Sequence, residues 1–334
     1  MIIYTPPGPP RSIPVVDLGA TFGGDVDTRV KAANEIHRAC RELGFFYISN
    51  HGISADFVAA QFAAAKQLFD LPLDQKLKIH MKNSPTTAGY EPMGGQALDS
   101  QDAKAPKAPP DLKEAFYCGM DLPDDHPYAQ KKWRGVGHNL WPEISGFKDQ
   151  TIAYHTAMGR LGNHVLALIA QSLDLPPDWF VPYFEWSGAN LRFIKYPPQP
   201  AGADFNQMGA GAHTDWGAIT ILAQDSSGGL EVQTVTGDWI EAIPIPGTFV
   251  VNLGDLMARW TNGIYNSNMH RVMNKQPDGV RYSLPYFHSP REDAVIEPIP
   301  TCVTPDHPRL YPPCTTGEHM MEMFRRSYGY LPAA

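Results

Sequence analysis

The sequence predicts an α+β fold in which a helix-rich amino-terminal part precedes a β-rich core. Three observations lead there. Proline (32) and glycine (29) are abundant among the 334 residues, and helix interiors tolerate neither well, which disfavours an all-helical bundle. Long runs with helical spacing are concentrated before residue 175. After Trp179 short β segments follow one another, separated by turn residues, as in a closed barrel or a sandwich. A content of 43% hydrophobic and 19% charged residues supplies a core. We divide the chain into an amino-terminal region, 1–120, and a core region, 121–334, which pack as one unit because no flexible linker separates them.

Each element has its own local reason. Residues 13–18 (IPVVDL) form a short apolar strand. Residues 28–43 carry apolar side chains at helical spacing, and Gly44 follows as a C-cap. Residues 45–49 (FFYIS) are a strand left by the turn NHGI. Residues 54–69 form a second amphipathic helix, ended by LPLD. The stretch 94–112 is polar and rich in Gly, Ala and Pro, which makes it a surface loop and a candidate lid. Residues 147–174 form one long helix with Ile152, Met158, Leu161, Val165, Leu168 and Ile169 on its apolar side. The β segments are 190–196, 218–224, 229–233, 238–243, 248–252, 268–273, 281–287 and 294–299, with DSSGG, TGD, IPG, TNG, QPDG and SPRED as turns. A last helix covers 317–328.

Composition narrows the function. Lys and Arg number 27 against 35 Asp and Glu, a net charge of −8, and no basic block occurs, so nucleic acid is a poor partner. No stretch has the ~18 consecutive apolar residues of a membrane span. The start MIIYTPPGPP has neither a basic n-region nor an apolar h-region, which argues against secretion. Cys40, Cys118, Cys302 and Cys314 form no CxxC pair, so reduced thiols in a cytoplasmic protein are expected. Oligomeric state is not legible.

Of twelve histidines, His213 alone has a carboxylate two positions later, Asp215. On a strand these two side chains would share a face. A third ligand from a distant strand, with His270 as the candidate, would complete two histidines and one carboxylate around a metal with open positions, the arrangement of non-haem Fe(II) oxygenases. The surroundings are more specific than HxD alone: YPPQP at 196–200, GAHTDWGAITILAQDSSGGLEVQ at 211–233, VVNLGDLMARWTNGIYNSNMHRV at 250–272 and RYSLPYF at 281–287. Together with IPVVDL at 13–18 and CRELGFFYISNHGI at 40–53, they make the chain resemble the Fe(II)/2-oxoglutarate-dependent dioxygenases of the isopenicillin N synthase-like group. The resemblance runs in order over nearly the whole chain.

That resemblance implies a double-stranded β-helix (jelly-roll) core with Fe(II) on His213, Asp215 and His270. It also implies that Arg281 and Ser283 hold the far carboxylate of 2-oxoglutarate, with Tyr196 assisting. A guanidinium forks onto a carboxylate with two parallel hydrogen bonds, and a serine hydroxyl adds a third. The implied reaction consumes O2, converts 2-oxoglutarate to succinate and CO2, and oxidises a small-molecule substrate, usually by hydroxylation. His288 is a rival ligand, but it follows RYSLPYF by one residue and faces away from Arg281 and Ser283. Two alternatives remain: a 2-oxoglutarate-independent oxidase of the isopenicillin N synthase or ACC oxidase type, and a non-catalytic jelly roll. The ending RRSYGYLPAA has no glutamine, unlike isopenicillin N synthase, and the intact triad with a complete RxS pair counts against a non-catalytic role.

For the substrate, PPDLKEAFYCG at 109–119 and ARWTNG at 258–263 resemble a microbial subgroup that includes thymine-type hydroxylases. By strand alternation Asn190, Arg192, Ile194 and Tyr196 share one face, and Arg281, Ser283, Pro285 and Phe287 another. Arg192 and Phe287 are therefore candidate substrate contacts. Trp216 and Asn190 are further candidates for which a packing role is the simpler reading. An arginine among aromatic rings suits a small planar substrate with oxygen atoms, a pyrimidine or an aromatic acid.

Overall fold

A computed structural model describes residues 12–96, 110–199, 207–275 and 279–328. In the amino-terminal half, β1 (Val15–Asp17) leads to α1 (Val26–Glu42), β2 (Phe45–Ser49), α2 (Ala55–Phe69) and α3 (Leu73–Lys78). Then come β3 (Gly89–Glu91), β4 (Glu114–Cys118), the short pair β5 (Met120–Asp121) and β6 (Val136–Gly137), α4 (Phe147–Ser172) and α5 (Val181–Phe184). Helix α1 starts where the Asp25 carboxylate accepts from the Asp27 amide, and α2 where the Ser54 hydroxyl accepts from the Phe57 amide. Helix α3 was not expected: LPLD ends α2, but Pro72 then serves as the N-cap of a further turn and a half.

The second half contributes β7 (Asn190–Tyr196), β8 (Ala210–His213), β9 (Ile219–Gln224), β10 (Leu230–Gln233), β11 (Trp239–Glu241), β12 (Thr248–Leu253), α6 (Asp255–Trp260), β13 (His270–Val272) and β14 (Arg281–His288). The short strands β15 (Val295–Ile296) and β16 (Cys314–Thr315) pair with each other, and α7 (Thr316–Tyr328) follows. Sequence patterning found β7, β9, β10, β12 and β14 to within a residue or two. It missed β4, the short strands β3 and β8, and α6, which was read only as part of a motif.

An eight-stranded sheet, ordered β1-β2-β12-β9-β14-β7-β4-β3, faces a four-stranded one, ordered β11-β10-β13-β8. Strands from residues 1–120 and from the later part of the chain thus hydrogen-bond in one sheet. Every pairing in both sheets is antiparallel except β1 with β2. The two faces of the large sheet bury different sets. Phe46, Ile48, Leu191, Phe193, Ile221, Val251, Leu284 and Tyr286 pack against the helix layer, where Met158, Leu161, Val165, Leu168 and Ile169 of α4 are buried. Ile152 is only half-buried. Tyr47, Ile194, Tyr196, Leu222 and Val250 point instead into the space between the sheets. Burial on both faces explains why FFYIS and ITILA read as continuous apolar runs rather than as alternating ones. No described helix is long and apolar enough to cross a membrane.

Gly44 does more than end α1. Its φ is +66°, and a Cβ there would lie 2.2 Å from the Asn266 carbonyl oxygen. Gly44→Ala therefore combines backbone strain with a clash against main chain, and should cost about 1–3 kcal/mol or more. A melting temperature equal to that of the parent protein would contradict this account of the α1–β2 corner.

Candidate functional site

His213 ends β8 and His270 begins β13, and the two residues are paired directly across the small sheet. Their rings lie 4.3 Å apart between centroids. The Gly211 carbonyl accepts from Nδ1 of His213 at 2.6 Å, and the Asn268 carbonyl stands 3.3 Å from Nδ1 of His270. A carbonyl only accepts, so these contacts place the imidazole protons on Nδ1 and leave each Nε2 as a lone pair. Asp215 Oδ1 is 3.9 Å from Nε2 of His213 and 3.7 Å from Nε2 of His270. One ligand atom from each residue falls within 4.8 Å of the others, a set that could hold a metal ion.

The strand argument for the His213–Asp215 pair does not hold. Strand β8 stops at His213, and Asp215 lies in the loop before β9. Its orientation is set by other means. Thr220 on β9 and Asn252 on β12 are register partners, and they donate to Asp215 Oδ2 at 2.5 and 2.7 Å. The Asp215 carbonyl accepts from the Asp255 amide at 2.8 Å, which ties the loop to α6. Gly254 permits that approach, since a Cβ there would meet the Gly217 carbonyl oxygen at 2.3 Å. Thr220 and Asn252 escaped sequence reasoning, although a polar side chain at an inward position of the apolar run VVNL was a usable signal.

Burial first, and then the adjacent His270, hold His213 well below the ordinary imidazole range. Burial works against ionisation of Asp215, but His270 and His213, with Asn252 and Thr220, outweigh it and hold the carboxyl below its usual value. At neutral pH the set therefore offers a neutral imidazole at His213 and a carboxylate at Asp215, the forms that bind a divalent cation.

Arg281 projects from β14 into the space between the sheets and is 1% exposed. Its Nε donates to the Gly228 carbonyl at 2.7 Å, while Nη1 and Nη2 have no hydrogen-bond partner among the described residues. A buried guanidinium with an idle fork is costly unless an anion fills it, so this group fits a carboxylate well. Ser283, buried, follows on the same face. Tyr196 is the register partner of Arg281, with its ring 4.8 Å from the guanidinium carbon.

A cavity of about 190 Å³ opens beside the triad. Arg192, Phe287, Trp216 and Asn190 all line it, the last two included, for which packing was the simpler expectation. Trp216 reaches the cavity because β8 has already ended. Asn190 Oδ1 is buried with no hydrogen-bond partner among the described residues. Arg192 is also an ion-pair partner: Nη2 donates to Glu91 Oε2 at 2.7 Å and to Gln96 Oε1 at 3.2 Å, and the guanidinium lies over the Tyr117 ring. Met320 and Phe324 of α7 complete a wall that sequence reading did not assign.

His288 belongs elsewhere. It lies on the helix side of β14, with Nε2 2.8 Å from Asn163 Oδ1 and its ring against Phe184, in a separate cavity of about 360 Å³ under α4. Of the loop 94–112, residues 97–109 lie outside the described residues, and with them most of the candidate lid. Its described ends meet where the Asp111 amide donates to the Gln96 carbonyl at 3.0 Å.

Two substitutions test the triad. Asp215→Ala should abolish stoichiometric Fe(II) binding and turnover. Asn252→Leu should weaken metal binding about 10–100-fold, because the carboxylate loses the partner that aims it. Titration with Fe(II) under anaerobic conditions checks both, and near-normal binding by Asp215→Ala would refute the assignment.

Comparison with known proteins agrees with this geometry. The family model described as the N-terminal part of non-haem dioxygenases in morphine synthesis matches residues 13–144, and that of the 2OG-Fe(II) oxygenase superfamily matches 187–290. A 2-oxoglutarate-Fe(II) type oxidoreductase from Aspergillus fumigatus is 37% identical over 327 residues, covering 96% of this chain and 94% of its own. A second from Emericella nidulans is 36% identical, covering 97% and 93%. Among solved structures, a full-length Neurospora crassa protein in complex with alpha-KG superposes with a TM-score of 0.82 at 31% identity, covering 94% of this chain and 96% of its own. The same protein with alpha-KG and thymine gives 0.81 at 30%, with the same coverage. These likenesses span both halves of the chain, and with the triad and the idle guanidinium they lead to one conclusion: the protein belongs to the 2OG-Fe(II) oxygenase superfamily and is a 2-oxoglutarate-dependent non-haem iron dioxygenase with a double-stranded β-helix core.

Proposed function

We propose that the enzyme hydroxylates a small, planar, neutral heterocycle of the pyrimidine type, at a methyl or ring-adjacent carbon. In this reading His213, Asp215 and His270 hold Fe(II), and Arg281, Ser283 and Tyr196 hold the far carboxylate of 2-oxoglutarate. Iron and 2-oxoglutarate, when bound, supply the O2-dependent oxidation, with succinate and CO2 as co-products. The protein's own residues bind, orient and exclude water.

The observation that carries the substrate class is the Arg192–Glu91 pair at the cavity wall. Both side chains are buried, at 8% and 4% exposure, so the charge of Arg192 is already balanced. The guanidinium then serves as an oriented donor rather than as a net positive site, which favours a neutral carbonyl over a carboxylate and separates a heterocycle from an aromatic acid. Asn190 Oδ1 offers the complementary acceptor for a ring N–H, and Phe287 and Trp216 offer faces for stacking. A volume of about 190 Å³ is small beside the ~300–1,000 Å³ of drug-sized pockets, which suits a single ring. The thymine complex of the Neurospora crassa protein supports the same class. Cytoplasmic residence is part of the proposal, supported by Cys40, Cys118 and Cys302, which are buried as free thiols.

Succinate formation across a panel of pyrimidines and aromatic acids tests the reading directly, with turnover confined to acids as the contrary outcome. Arg281→Ala should raise the apparent constant for 2-oxoglutarate by one to several orders of magnitude, since each hydrogen bond between charged groups is worth about 1.5–3 kcal/mol. An unchanged constant, or oxidation without any keto acid, would favour the oxidase alternative. Arg192→Ala and Phe287→Ala should lose substrate turnover while 2-oxoglutarate affinity stays as it was. Equal losses in both would move these residues out of the substrate site.

A further inference from the structure

Lys113 is a buried cation that the functions assigned so far do not use. It immediately precedes β4, and its side chain is 3% exposed. The register of β4 with β7 pairs Glu114 with Lys195, so the next step of that ladder sets Lys113 beside Tyr196, which is itself paired with Arg281 on β14. The three residues therefore stand at one level on three neighbouring strands. They also face the same way. Glu114 points to the helix side, where Lys76 and Tyr90 meet it, whereas Ala115 packs between the sheets with Tyr196. Alternation then turns Lys113 inward.

The ammonium donates to Asp111 Oδ2 at 2.6 Å. Asp111 Oδ1 is spent on the Gly211 amide at 3.0 Å, two residues before His213. An ammonium has three donors, and this one makes a single hydrogen bond among the described residues, so donors remain for a ligand. A buried ion pair is weak as a stabilising device, since desolvation offsets most of the attraction. Its position, at the level of Arg281 on the inner face and tied through Asp111 to the strand that carries His213, gives it another use.

We propose that Lys113 is a second cationic contact for 2-oxoglutarate, donating from Nζ to a carboxylate of the keto diacid while Arg281 holds the far one. The proposal rests on the assignment of Arg281 and the triad above. Asp111 keeps the ammonium oriented and balanced before the cosubstrate arrives, so the contact is made without moving a charge out of water.

Calorimetric titration of the Mn(II)-loaded protein with 2-oxoglutarate tests it without turnover. Lys113→Gln should weaken 2-oxoglutarate binding about tenfold or more, with Mn(II) affinity unchanged, and Lys113→Arg should restore much of the loss. Should Lys113→Gln fail to fold, Lys113→Met keeps the buried stem and is read in the same way. Unchanged 2-oxoglutarate affinity would overturn the proposal. So would a parallel loss of Mn(II) and 2-oxoglutarate affinity, since that is the signature of Lys113 acting only through Asp111 on β8. A wild-type protein that binds Mn(II) but no 2-oxoglutarate would overturn the underlying site reading as well.

Discussion

The Asp215 carboxylate is held from one side and presented on the other, and the site is organised around that asymmetry. Oδ2 is saturated by Thr220 and Asn252, which belong to adjacent strands of the large sheet. Oδ1 is left facing the two Nε2 lone pairs supplied by the small sheet. One side chain thus couples the two layers of the jelly roll at its open end. The loop that carries it has no strand geometry of its own, and it borrows rigidity from β9, β12 and the start of α6.

The large sheet divides its labour by parity. On β14, Leu284 and Tyr286 serve the helix-side core, while Arg281, Ser283 and Phe287 face the other way, Phe287 into the cavity beside the triad. On β7, Leu191 and Phe193 anchor the sheet to α4, while Arg192, Ile194 and Tyr196 face the inner space. Dense packing on one face makes it possible to keep under-satisfied polar groups on the other. The idle nitrogens of Arg281 and the Oδ1 of Asn190 would weaken an ordinary core, and a strand pinned along its other face can carry them.

Charge in the inner space is paired before any ligand enters. Arg192 is matched by Glu91, and Lys113 by Asp111, each at hydrogen-bonding distance and each nearly excluded from solvent. Among the described residues Arg281 is the exception, with a fork whose chemistry suits an anion. Within a few residues of the same strands, the described side chains therefore combine balanced ion pairs with one guanidinium whose fork is idle.

The sequence alone determined the family and the strands with long apolar runs, and it singled out His213, Asp215, His270, Arg281 and Ser283 as the candidates. Ladder alternation is local and has a period of two, so the inward faces of β7 and β14 could be read directly from spacing. Tertiary structure decided what depends on residues far apart in the chain. That Asp215 lies beyond the strand, that Thr220 and Asn252 aim it, and that Trp216 and Asn190 reach the cavity all follow from where β8 ends and which strands meet across the sheet. The partnership of Arg192 with Glu91 joins residues 101 positions apart. No periodicity encodes such a pairing, because it is fixed by the order of strands in the sheet and not by the order of residues in the chain.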